Sequence, residues 1–252
     1  MSTLDIVQLY PEQLGVSGDG GNVVTLVERA RRAGVEVTVH EHRPGDALPT
    51  SADVVHIGSG PLSTLRAIHA DALRLRDLLA DWADSGVPVV AIGGGMELLS
   101  REIVPEEGDT LEGLGFFDAR ALRGAARRTN YFDVTTRYAG AAAGAELQVL
   151  GFEDHATRFQ IGKEASAFAS VVSGGGNGDG SEGVLRGASF GTQLKGPLLP
   201  LNPELTDRIL SAALGRRGES YATNDAHARL DLFARKSREV ITSNLERSFK
   251  AM

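Results

Sequence analysis

Short apolar runs and longer amphipathic stretches alternate along the first hundred residues, with glycines between them. Residues 4–10 read as a first strand, and residues 23–33 then carry helical spacing that stops at Gly34. Residues 35–40 and 53–57 read as a second and a third strand. Residues 68–83 read as a helix with leucines at 73, 75, 78 and 79. The run Val-Pro-Val-Val-Ala-Ile at 87–92 is apolar throughout, as a strand buried on both faces of a parallel sheet must be. Gly93, Gly94 and Gly95 force a sharp turn into helical spacing over 96–103. Strand, tight turn and helix in that order form the elbow on which α/β hydrolytic enzymes mount a nucleophile. Here the tip of the elbow is Gly93, which has no side chain.

This alternation predicts an α/β fold whose sheet is parallel, with right-handed crossovers. Ligands of such sheets bind beyond the carboxyl ends of the strands, where the glycine turns at 58–60 and 93–95 would meet. The pattern changes after Gly113. Residues 131–136 and 148–152 read as strands joined by a small-residue linker at 139–145, and residues 173–183 as a glycine-rich loop. Residues 184–190 read as another strand, and residues 203–214 as a helix with Asn202 as its cap. Residues 227–249 keep near-helical spacing and read as a tail that docks on its own body or binds a partner. The expected division is a main unit over 1–215 and a helical tail over 216–252.

Composition narrows the chemistry. The 252 residues are 42% hydrophobic and 23% charged, with a formal charge of −7 and no basic block, which argues against nucleic acid. No apolar run approaches a membrane span, and the first residues lack the features of a signal peptide, so a cytoplasmic location is expected. The absence of cysteine removes disulfides, thiolate metal sites and thiol nucleophiles together. Six histidines form no metal-ligand pair, and the strand spacing of His40 and His42 reads as a surface feature. The loop at 15–22 matches neither phosphate-binding fingerprint; it reads as a turn in which Asp19 or Asn22 caps the following helix. The acidic glycine loop at 173–183 lacks the register of a calcium site. Neither a metal nor a cofactor is called for.

Several segments, in order, resemble class I glutamine amidotransferases of the cobyric-acid-synthase type, and among them the GatD family. They are Leu9-Tyr10-Pro11 with the 18–22 glycine loop, the Gly58-Ser59-Gly60 turn, the Gly93 elbow, and Gly151-Phe152-Glu153-Asp154-His155. The 176–183 loop and the segments Gly191-Thr192 and Lys195-Gly196-Pro197 complete the series. The resemblance implies a flavodoxin-like sandwich, with a mostly parallel central sheet flanked by helices. It also implies a glutaminase subunit of lipid II isoglutaminyl synthase, paired with a MurT-like Mur ligase that amidates the D-glutamate of lipid II. In that family the elbow reads C-G-G-x-Q and the later motif G-T-Y-L-H-G-P. The cysteine attacks the glutamine amide, the histidine shuttles the proton, and an arginine holds the glutamine.

This chain departs at the reacting positions. Gly93 stands at the nucleophile position, Lys195 at the general-base position, and Glu97 at the glutamine after the elbow. Glycine offers no electron pair. Lysine, with an ordinary pKa of about 10.4 against about 6.5 for histidine, arrives protonated at neutral pH unless strongly desolvated. Gly58, Gly60 and Gly94 remain as oxyanion-turn positions, Arg128 (or Arg127) as the glutamine-holding arginine, and His155 at the rim. Ser59 and Ser100 are expected to lie out of reach of the attack position. Glycine also relieves the strain an elbow imposes on a side-chain-bearing residue, about 1–3 kcal/mol. The expected function is a catalytically degenerate subunit that keeps a pocket for glutamine, another amino acid or nothing. The alternative is an active amidotransferase rewired through Lys195, Glu97 or His155; a free-standing small-molecule sensor is a third reading.

Overall fold

A computed structural model describes residues 3–140 and 142–245. Its first half alternates β1 (Thr3–Leu9), α1 (Gly20–Arg32), β2 (Glu36–His42), β3 (Val54–Ile57), α2 (Leu62–Leu73), α3 (Arg76–Asp84), β4 (Val89–Ile92) and α4 (Gly94–Leu99). Then come β5 (Glu102–Val104), β6 (Leu111–Glu112), β7 (Ala119–Ala139), β8 (Ala142–Ile161), β9 (Ala169–Ser173) and β10 (Ser181–Glu182). The chain ends on β11 (Val184–Arg186), β12 (Ser189–Thr192), α5 (Leu198–Leu201), α6 (Pro203–Arg216) and α7 (Ala228–Thr242).

One six-stranded sheet runs β11-β12-β4-β3-β1-β2 and is parallel except for β11. Its two central strands β3 and β4 are buried at every position, which is why their sequences are unbroken apolar runs. Leu65, Ile68, Leu75 and Leu79 of the α2–α3 segment join Val55, Ile57, Val89 and Ala91 in one core. Leu26, Ala30, Ile209 and Leu210 of α1 and α6 join Ile6, Val54, Val90 and Ile92 in the other. The strand order sets β3, β4 and β12 side by side, so the segments that follow them converge at one end of the sheet.

The second sheet is dominated by the β7–β8 hairpin, paired from Ala119↔Ile161 to Ala139↔Ala142. Sequence pattern predicts only two short strands here. The ladder slips between Arg123 and Arg128, where small and arginine residues give no period-two signal to read.

Other departures have local causes. The stretch 68–83 breaks between α2 and α3, where the amides of Arg74 and Leu75 bond back only three residues, to Asp71 and Ala72. The buried face runs straight through this tightened turn, hence the reading as one helix. Ser100 is extended (ψ 176°) and ends α4, so Ile103 lies in β5 instead, still buried. Residues 184–190 reverse at Gly187 (φ +56°), making two antiparallel strands of one.

Asn202 stands at the start of α6 without capping it; its side chain accepts from the Leu150 amide at 2.9 Å and donates to the Leu150 carbonyl at 2.7 Å, tying β8 to the helices. Neither Asp19 nor Asn22 caps α1: Asp19 accepts from the Ser59 amide and Asn22 from the Leu199 amide. His40 is exposed, but His42 is buried and bonded to Asp71 at 3.1 Å. Arg29, buried in α1, donates twice to Asp207 of α6 at 2.7 Å and once to Asp231 of α7 at 2.6 Å. That pairing seats α7 on the body, although Ala234 is the one buried residue of α7. Residues 246–249 of the expected tail lie outside the described residues. Among those described, no helix is long and apolar enough to cross a membrane.

Candidate functional site

The elbow is a sharp turn held by its neighbours. Gly93 adopts φ +50° and ψ −111°, its amide donates to the Thr192 carbonyl at 2.8 Å, and its carbonyl accepts from Glu97 at 3.0 Å. Only glycine takes this backbone without strain. The Gly95 amide donates to the Gly58 carbonyl at 2.9 Å, which locks the elbow against the turn after β3. The approach is close: a Cβ added to Gly94 would sit 2.5 Å from the Gly60 carbonyl oxygen.

The space over Gly93 is taken. A Cβ built there would lie 2.5 Å from Ser59 Oγ and 2.7 Å from Lys195 Cε. Ser59 Oγ also accepts the Gly94 N–H at 3.1 Å, so one expected oxyanion donor is already engaged. Asp19 accepts the Ser59 amide at 3.0 Å and holds the serine in place; burial pushes the Asp19 carboxyl up despite that bond. Lys195 arrives from beyond β12, pinned to β8 by paired backbone bonds with Phe152. Its Nζ donates to the Asp154 carbonyl at 2.9 Å. Burial lowers the Lys195 pKa, while the charges of Glu97 and Asp154 work the other way.

Beside this filled slot lies an open cavity of about 340 Å³, walled by Gly60, Glu97, Arg123, Arg127 and Thr157, with Ser59 and Lys195 on its floor. Its arginines are matched by its carboxylates. Glu97 accepts from Arg123 Nε at 2.7 Å and from Thr157 Oγ1 at 2.8 Å. Arg127 forks onto both Asp154 oxygens at 2.6 and 2.7 Å, which holds the Asp154 carboxyl below its usual range. His155 is tied on both ring nitrogens, to the Thr157 carbonyl at 2.8 Å and Glu153 at 3.2 Å. Burial raises the Glu153 pKa, but bonds from His155, Gly175 and Asn130 outweigh it and hold the group low. A larger groove of about 760 Å³ runs between α6 and α7, remote from the elbow, and carries none of these groups.

Likenesses to known proteins place this geometry. The CobB/CobQ-like glutamine amidotransferase domain matches residues 5–203. The chain belongs to this family of glutamine amidotransferases. It is 26% identical over 239 residues to the GatD subunit of the glutamine-hydrolysing lipid II isoglutaminyl synthase of Staphylococcus aureus (strain N315), spanning 94% of this chain and 95% of that one. It is 27% identical over 226 residues to the Streptococcus pneumoniae (strain ATCC BAA-255 / R6) subunit of the same description, spanning 85% and 82%. The GatD resemblance of the sequence motifs therefore extends over nearly the whole chain. Among solved structures, PurLQS from Thermotoga maritima superposes with a TM-score of 0.55 at 16% identity over 85% of this chain and 99% of that one. A glutamine amidotransferase crystal structure superposes at 0.51 and 20% identity over 84% and 98%. Both support the class I amidotransferase fold.

Within this amidotransferase domain, Gly93, Gly94, Gly58, Gly60, Glu97, His155 and Lys195 all gather at the carboxyl end of the sheet. Arg128 stands apart: its guanidinium packs against Gly175, while Arg127 lines the cavity. Ser59, expected out of reach, is the side chain nearest the elbow tip. Ser100 is buried and bonds the Met96 carbonyl at 2.9 Å. Sequence reasoning missed Arg123 and Thr157, and read Asp19 as a helix cap although it sits inside the glycine loop that carries the family resemblance and holds the Ser59 amide.

Proposed function

We propose that this chain is a catalytically silent GatD-like subunit, which pairs in the cytoplasm with a MurT-like Mur ligase acting on the D-glutamate of lipid II. The observation that carries the reading is the filled slot: Ser59 Oγ and the Lys195 stem occupy the space a nucleophilic side chain at 93 would need. Covalent amide hydrolysis needs a nucleophile at the tip, a base within hydrogen-bond reach and free oxyanion donors. Gly93 supplies no nucleophile. The Lys195 ammonium donates to the Asp154 carbonyl, and the Gly94 N–H is bonded to Ser59. The retained elements are the ones that shape a partner-facing domain and a cavity with room for glutamine or another amino acid. Residues 1–215 form the amidotransferase unit in this reading, and the tail from 216 onward docks on it or reaches the partner.

A second reading rests on the same two side chains. Ser59 stands at the attack point and burial lowers the Lys195 pKa, as a rewired amidotransferase would require. One experiment separates them. The chain is co-expressed with a Mur-ligase-like protein, purified as the complex and assayed for ammonia release from glutamine. Stable co-purification with release no faster than the buffer supports the silent subunit. Release that is lost in both Ser59→Ala and Lys195→Met establishes the rewired enzyme, and no co-purification removes the proposed partner.

A further inference from the structure

We propose that the outer face of α7, with the groove beside it, is the docking surface for the partner subunit, and that it receives a helix with apolar anchors and flanking carboxylates. This deepens the proposed pairing with a Mur-ligase-like protein and rests on that reading. α7 is seated by ion pairing more than by apolar burial: Arg29 bonds Asp231 at 2.6 Å, and Ala234 is its one buried residue. Away from that seat, Arg229, Phe233, Lys236 and Val240 are all exposed. Their steps of four, three and four residues put them on one stripe of the helix. Phe233, 55% exposed, is the one exposed aromatic among the described residues, and Val240 is 59% exposed. Scattered apolar residues at a surface need no partner, but Phe233 borders a concavity. With Leu230 it lines a groove of about 260 Å³, whose other walls include Leu199, Pro200 and the 60% exposed Val24 of α1. An apolar rim around room for an anchoring side chain is the form of a protein-binding site.

Charge selects the occupant. α7 carries four basic residues and two acidic ones in a chain of net charge −7. Both acids lie off the stripe, Asp231 bonded to Arg29 and Glu239 at 3.9 Å from Arg235. On the stripe, the Arg229 guanidinium stands 5.7 Å from the Phe233 ring centroid, and Lys236 makes no ion pair or hydrogen bond among the described residues. Carboxylates beside the anchors of an incoming helix would meet these two cations. A second copy of the chain would set the cationic stripe against itself. A lipid surface would meet the stripe as a plane and leave the groove unfilled. The extent of the likenesses agrees. The amidotransferase-domain match ends at residue 203, before α7, whereas the likeness to the Staphylococcus aureus GatD subunit spans 94% of this chain, too much of it to leave α7 out. α7 is thus shared with a protein that works as a subunit, outside the matched domain.

The test is binding of the full chain to the Mur-ligase-like protein, followed by biolayer interferometry at low and high salt. Phe233→Asp and Val24→Asp change two walls of the groove, and each is expected to bind at least about tenfold more weakly than the parent, as loss of a central anchor does. Both residues are more than half exposed, so thermal midpoints close to the parent's are expected. The Arg229→Glu/Lys236→Glu double variant is expected to associate more slowly and with a weaker salt dependence, a change that a merely structural role would not produce. Variants that all bind as tightly as the parent overturn this surface and leave the pairing intact. A parent that does not bind removes the pairing itself, and this surface with it. Two further results overturn the proposal by naming another occupant: a dimer of the parent in sedimentation that Phe233→Asp dissolves, or binding to phosphatidylglycerol vesicles that Phe233→Asp abolishes.

Discussion

The slot over Gly93 and the cavity next to it are built from the same segments, yet one is full and the other open. In the slot, a serine and a lysine stem stand within 2.7 Å of where a side chain would begin. In the cavity, about 340 Å³ of space is kept by arginines that are already bonded to carboxylates of the wall. The difference is one of support. Cavity groups are held by bidentate or buried charge-assisted bonds that do not depend on any residue at 93. Slot groups are the ones a side chain at 93 would have displaced. A glycine at 93 thus leaves the cavity wall standing and lets the neighbours close over the elbow tip.

The largest effect is expected from refilling the slot. Gly93→Cys with Lys195→His installs the cysteine and histidine that the family resemblance assigns to these positions, but Ser59 Oγ still occupies the position beside the new side chain and still holds the Gly94 N–H. Adding Ser59→Gly vacates that position and frees the donor. The triple variant is expected to release ammonia from glutamine about 10³-fold faster than the parent, and the double variant about tenfold less than the triple. Equal activity in double and triple would show that Ser59 is no obstacle, and the contrast between slot and cavity would fail. Ammonia release in a coupled assay reads all three.

A smaller effect tests the same contact through stability. Gly93→Ala puts a methyl group at φ +50° and 2.5 Å from Ser59 Oγ. Backbone strain of this kind costs about 1–3 kcal/mol, and the collision adds to it. Ser59→Gly removes the collision with the serine and leaves the strain and the contact with the Lys195 stem. The two substitutions together are therefore expected to destabilise less than the sum of each alone, by about 0.5–3 kcal/mol in a denaturant cycle. Strict additivity would mean that Ser59 swings aside at no cost.

The parallel half of this molecule was legible in its sequence because β3 and β4 are buried on both faces and so are apolar without interruption. The hairpin half was not. Residues 120–130 face solvent, a cavity and a ladder slip in turn, so no single period survives. The site divides the same way. Glycines at 58, 60, 93 and 94 announce close backbone approach, and that is what they provide. The cavity wall instead depends on which of two adjacent arginines turns inward after the slip, which spacing alone does not fix; Arg127 does, and Arg128 lies on Gly175. Ser59 reads from the sequence as an oxyanion-turn residue out of reach of the attack position, yet β3 and β4 are hydrogen-bonded neighbours and its hydroxyl stands beside the elbow tip.

The smallest expected effect concerns Lys195, the residue shared by slot and cavity. Burial lowers its pKa in the folded chain from an ordinary value of 10.5, so the folded state resists the proton more than the unfolded one does. Below the folded pKa both states are protonated, and the buried charge imposes its full penalty. As pH rises from the folded pKa toward 10.5, the unfolded chain holds more protons than the folded one, and stability must climb. Lys195→Met lacks this proton. Relative to that variant, the parent is expected to gain stability through the alkaline window and to show no such gain at neutral pH. Urea midpoints measured from pH 7 to 10.5 read the slope. A parent that loses ground to Lys195→Met as the pH rises would mean that the ammonium is stabilised in the fold by Glu97 and Asp154. The slot would then be held shut by charge, as the cavity wall is, and the distinction between the two would disappear.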